Sequence, residues 1–143
     1  ALIPKSAIER AHNGMMIRYA DNHLLQSLSP LFKSFFSQVS NCEALSEHLS
    51  GLHHEMNKLE NLLTNLPDFR QRNLQTGDIC LATILFYVIE LTEWFGKQQI
   101  MVHFPVVSNW WQWVRQTKAV ANTIEEMSEG HNALIARLTG APA

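Results

Sequence analysis

Residues Ile79 to Ile89 form an apolar run broken only by Thr83. Its β-branched and aromatic content suits a strand, but strands usually span about four to eight residues, and this run is longer. It also follows a helix-start signal, Leu74-Gln75-Thr76-Gly77-Asp78. With Gln75 as N-cap, Asp78 falls at the third helical position, where its carboxylate can accept the cap residue's backbone N–H and meet the positive end of the helix dipole. Leu74 and Ile79 then stand at hydrophobic-staple spacing. Gln75 is a weaker cap than Ser, Thr, Asp or Asn, so Thr76 offers a shifted register. A helix from Gln75 to about Trp94 is apolar nearly all round, and such a helix is stable only when others surround it. The run is shorter than the roughly 20 residues a membrane span needs.

The remaining sequence supplies the surrounding helices. One long pattern runs from Ser6 to about Val39, with Pro4 just before it. It carries one stripe of Ile8, Ala11, Met15, Leu24, Leu28, Leu31 and Phe35, and a second of Met16, Ala20, Leu25, Phe32 and Phe36. Two apolar faces imply packing on the core and on another surface. Pro30 predicts a kink. After the turn Ser40-Asn41, Leu45, Leu49, Leu52, Met56, Leu59 and Leu63 recur at steps of three and four, a single-faced helix that packs within the domain. A polar connection, 64–73, contains Pro67. A second connection through Gly96 and His103 leads to Pro105, placed for the first turn of a helix to about Thr117. A last helix spans about Ala119 to Ser128, followed by a tail at 129–143. The expectation is an all-α, single-domain bundle of about five helices over 1–143, with 1–5 as a linker remnant.

Composition narrows the partners. With a net charge of −2, the chain has no electrostatic footprint for nucleic acid or anionic lipid. Cys42 and Cys80 are too few for a disulfide framework, and no basic segment leads into an apolar one at the start, so a cytoplasmic protein is expected. The first residue is Ala, which reads as a processed, tagged or excised product. His48, His53, His54 and Glu55 are the densest ligand-type group, but the five-residue step from His48 to His53 does not align them on a helix face, and no metal site is assigned. Asn109-Trp110-Trp111-Gln112-Trp113 lacks the basic groove of a base-stacking platform and reads as packing. Thr83, Tyr87 and Glu90 form a polar stripe on the central helix that either bonds to other helices or faces a wet cleft. No Ser-His-Asp order, paired catalytic carboxylates or phosphate-binding glycine loop is recognisable.

Taken in order, Leu2-Ile3-Pro4, Ile8-Glu9-Arg10-Ala11, the run from Tyr19 to Phe32, the cap at Gln75–Asp78 and Pro105 to Trp110 resemble the C-terminal helical domain of bacterial glutathione transferases, nearest to beta-class members. The resemblance implies a two-domain homodimer. A thioredoxin-like domain, not contained in these residues, would bind glutathione as cosubstrate and act on its thiol. The helical domain would line the pocket for a small hydrophobic electrophile and form much of the dimer interface. Candidate pocket residues are Met15, Tyr19, Asn22, Leu25, Gln26 and Tyr87, with Arg18 as a glutathione contact and Gln75 and Asp78 as structural caps. No catalytic residue or metal ligand is assigned, and the isolated chain is expected to be inactive. The beta-class His-Lys pair is replaced by Leu25 and Gln26, and its asparagine by Arg18. A non-catalytic helical interaction module is the alternative.

Overall fold

The computed structural model describes residues 2–38, 41–96 and 99–142. Among them there is no strand. The helices are α1 (Ala7–Tyr19), α2 (Leu25–Ser37), α3 (Cys42–Asn65), α4 (Thr76–Trp94), α5 (Pro105–Val114) and α6 (Lys118–Thr139). A π-helical turn, Ala20–Leu24, joins α1 to α2 as one long helix, so the architecture is an all-α bundle of five helical rods. Short 3₁₀ turns, Phe69–Gln71 and Ile100–His103, precede α4 and α5.

α4 is the hub. No residue from 76 to 92 is exposed, and α4 packs against α1, α2, the π turn, α5 and α6. Burial on every side is the outcome its uniform apolarity dictates. α3 lies outside that contact shell, chiefly on α2, the π turn and α5, and buries Leu52, Met56, Leu59 and Leu63 there. Its stripe is therefore satisfied within the chain. Asn41 caps it, with Oδ1 accepting the N–H groups of Glu43 and Ala44 at 3.2 Å. Ser40, the other half of the expected turn, and Val39 lie outside the described residues.

The long helix differs from its sequence pattern in one instructive way. It does not present two stripes; a single buried line runs Met16, Ala20, Leu24, Leu28, Leu31 and Phe35. Three successive four-residue steps would rotate a stripe by about 120° around a regular helix. The π turn absorbs that drift. Leu25 donates its N–H to the Ala20 carbonyl, five residues back, which widens the turn and returns Leu24 and Leu28 to the core side. Of the residues left over, Ile8, Ala11, Met15, Leu25 and Phe36 are exposed, and Phe32 is half-buried against Tyr87. The break in regular hydrogen bonding thus precedes Pro30, and the helix continues through the proline to Ser37.

The C-terminal region also departs from expectation. α5 ends at Val114, and α6 continues through Gly130 to Thr139, so most of 129–143 is helix and not tail. Gly130 costs about 1 kcal/mol relative to Ala, too little to stop a helix whose apolar side extends past it. His131 is buried, and Leu134, Ile135 and Leu138 pack on the core. Gly140, in the left-handed conformation at φ 68°, ends it.

Candidate functional site

The expected cap forms in the Gln75 register, around a buried polar node. Asp78, fully buried, accepts the Gln75 backbone N–H at 2.8 Å, the Trp110 indole N–H at 3.0 Å, and two Arg72 N–H groups at 2.6 and 2.8 Å. Four donors, two of them a bidentate guanidinium, replace the water this carboxylate loses on burial. Arg72 in turn lies over the Trp113 ring at 5.5 Å. Leu74 and Ile79 pack at the edge of the core on either side of the cap. α1 closes on this helix start through Asn13, whose Oδ1 accepts the Gly77 N–H at 2.7 Å. A Cβ at Gly77 would stand 2.9 Å from the Asn13 carbonyl oxygen and from its Oδ1, so only glycine allows this approach. The node fixes the angle between the long helix and α4, and hence the face that the long helix presents.

That face carries most of the candidate pocket residues. Met15, Arg18, Asn22, Leu25 and Gln26 are exposed along α1, the π turn and the start of α2. Tyr19 is turned aside towards α3, where its hydroxyl donates to the Glu55 backbone carbonyl and lies 3.3 Å from Glu55 Oε2, while its ring stacks on His23. Burial, reinforced by the charge and hydrogen bond of Glu55, pushes the Tyr19 phenol up. It is held as a neutral donor, the opposite of the depressed phenol that ionises readily. Burial also raises Glu55, but hydrogen bonds from Lys58 and Tyr19 and the charges of Lys58 and His23 outweigh it and leave that carboxyl lowered. Tyr87 faces elsewhere, edge-on to Phe32, Phe86 and His131. The two tyrosines therefore engage different neighbours, α3 for one and α2 and α6 for the other.

The polar stripe on α4 has three separate fates. Thr83 returns its hydroxyl to the Cys80 carbonyl at 2.9 Å. Tyr87 joins the aromatic cluster. Glu90 lines an open cleft of about 690 Å³ between α4, α5 and α6, walled by Phe86, Ile89, Trp111 and Ile124. Behind Glu90 lies His131, with Nε2 buried and 3.5 Å from Glu90 Oε2, and among the described residues that nitrogen has no hydrogen-bond partner. Burial pushes the Glu90 carboxyl up, with Glu93 adding to the rise and His131 opposing it. A smaller cleft of about 320 Å³ brings His53 beside His103, ring centroids 5.7 Å apart. Among the described residues no three His, Cys, Asp or Glu side chains are grouped to hold a metal ion.

No family model, curated protein or solved structure matches the chain. The site must therefore be read from its own residues. Those that position it without a sequence signal are Arg72, six residues before Asp78 in an irregular connection, and Glu60, whose carboxylate accepts the Val106 and Val107 N–H groups at 2.8 and 2.9 Å and caps α5 from α3. His131 had a signal: it extends the line of Ile124 and Met127 by a four-residue step.

Proposed function

We propose that this chain is the helical C-terminal domain of a glutathione-transferase-like protein. In this reading a thioredoxin-like domain outside these residues holds glutathione, and the exposed side of the long helix, from Met15 to Gln26, lines a pocket for a small hydrophobic electrophile. The observation that carries the proposal is the buried cap at the start of a central helix enclosed from residue 76 to 92, the arrangement that the resemblance implies. A second observation supports an absent partner surface. The chain exposes 8529 Å², whereas a monomer of 16.3 kDa exposes about 7,500 Å². Homodimerisation, cover by the thioredoxin-like half, or both would account for the excess.

The test uses the parent protein. If its reading frame encodes a thioredoxin-like fold ahead of these residues, retention on immobilised glutathione and conjugation of a model electrophile are expected, with Leu25→Ala and Met15→Ala altering electrophile selectivity more than glutathione affinity. A folded parent that neither binds glutathione nor performs thiol chemistry would refute the catalytic reading. It would favour a helical interaction module, for which the exposed apolar residues along the long helix, Met15, Leu25 (in place of the beta-class histidine) and Phe36, are the supporting observation.

A further inference from the structure

The cleft between α4, α5 and α6 is lined by none of the candidate residues of the long helix, and the proposed transferase reading makes no use of it. Its volume of about 690 Å³ falls within the range of small-molecule sites, roughly 300–1,000 Å³. Phe86, Ile89, Trp111 and Ile124 give it an apolar and aromatic wall, Gln112, Gln116 and Ser128 are its neutral polar residues, and its charged residues are Glu90, Glu125 and Arg115. Arg115 is already laid over the Trp111 ring at 5.4 Å. Glu125 is exposed at the rim. Glu90 differs from both: it is half-buried, and among the described residues no lysine or arginine pairs with it.

A carboxylate withdrawn from water without a cation is unfavourable. His131 lies behind it. That imidazole is enclosed by Phe35, Phe86 and Tyr87, and its buried Nε2, without a hydrogen-bond partner among the described residues, lies next to the carboxylate. The 3.5 Å separation is long for a hydrogen bond, and such contacts commonly tighten when a site fills. The arrangement is a half-buried carboxylate in the cleft, backed by a buried imidazole nitrogen and, among the described residues, without a lysine or arginine counter-ion.

We infer that this cleft binds a small organic ammonium ion, with the cation on Glu90 and an apolar or aromatic body against Trp111, Phe86 and Ile124. His131 acts as a positioning residue for Glu90. Glu125 supplies a second, weaker attraction at the rim. Arg115, on Trp111, disfavours a second positive charge on the ligand.

The probe is 2-phenylethylamine, titrated against the protein at neutral pH by amide chemical-shift mapping, with 3-phenylpropionate as the anionic match in size and shape. Saturable binding of the amine is expected in the millimolar range or tighter, with shifts concentrated in α4, α5 and α6 and no saturable binding of the anion. Glu90→Gln, nearly isosteric, should weaken amine binding at least tenfold, and Glu125→Gln by less. His131→Phe should also weaken it, and should move the pH at which binding is half lost, which a purely steric role would not do. Amine binding that survives Glu90→Gln unchanged, equal binding of the anion, or no saturable binding would overturn the inference. The amine-against-anion comparison needs no variant, so it stands even where a substitution unfolds the chain. None of these readouts involves glutathione, so failure here is distinct from failure of the transferase reading.

Discussion

Replacing Asp78 by alanine tests the node on which the architecture turns. Three losses follow from the geometry. The helix cap is removed, at about 1 kcal/mol. Arg72 is left without the carboxylate it grips at 2.6 and 2.8 Å. Breaking a buried pair costs about 3–5 kcal/mol, and because 15% of the Arg72 side chain reaches solvent, the lower end, about 3 kcal/mol, applies. The Trp110 indole N–H, on a fully buried ring, loses the acceptor it has at 3.0 Å, adding about 1 kcal/mol. The expected total is about 5 kcal/mol. Single domains are stable by roughly 5–15 kcal/mol, so Asp78→Ala removes a third or more of the margin. Urea unfolding followed by circular dichroism should show the midpoint falling steeply with little change in slope. The double variant Arg72→Met/Asp78→Asn should be less damaged than the sum of its single changes, because it leaves no unpaired buried charge. A loss below about 1 kcal/mol for Asp78→Ala would refute this account, since the cap alone accounts for that much.

Other substitutions probe separate joints. Gly77→Ala places a Cβ 2.9 Å from the Asn13 backbone oxygen, so it should cost about 1–3 kcal/mol in urea unfolding, despite alanine's better helix propensity. Gly130→Ala meets nothing within 4 Å and should raise stability by about 0.5–1 kcal/mol in the same assay, a result incompatible with a frayed tail there. Glu60→Ala removes the carboxylate that caps α5 and should cost about 1 kcal/mol, with amide exchange accelerated most at Val106 and Val107. For Glu90 the folded-state pKa is raised by burial, so the folded chain holds the proton more tightly than the unfolded chain. The stability that this proton contributes is complete below the ordinary glutamate range and declines as pH rises through the folded value. Urea midpoints compared across that window should fall more steeply in the native protein than in Glu90→Gln, with His131 and Glu93 as the neighbouring titratable groups that remain.

The parts of this fold legible in the sequence are those set by local chemistry. The length of the apolar run from Ile79 to Ile89 decided helix over strand, and the three-residue offset from Gln75 to Asp78 located its start. The periodic leucines of α3 and the proline at the first position of α5 were equally local. What sequence periodicity misread was the long helix, because a regular 3.6-residue period assigns Met16 and Ala20 to one face and Leu24 and Leu28 to another. One widened turn makes them continuous, and the hydrogen bond from Leu25 to Ala20 that widens it carries no residue signature. The same limit hid Arg72 and Glu60, which act across 6 and 46 residues through geometry that only the packed chain supplies. It bears most on the candidate site. Tyr19, Asn22, Leu25 and Gln26 flank or occupy the π turn, so the direction each side chain takes is set by that inserted register and not by its spacing from Met15. Forcing a regular helix with all its residues retained would therefore disturb more than the core line. It would rotate Met15 and Arg18 relative to Leu25 and Gln26 by about 100°, and any pocket built from both halves of the helix would be lost, whereas deleting one residue between Ala20 and Leu24 should remove the widened turn and keep both halves in register.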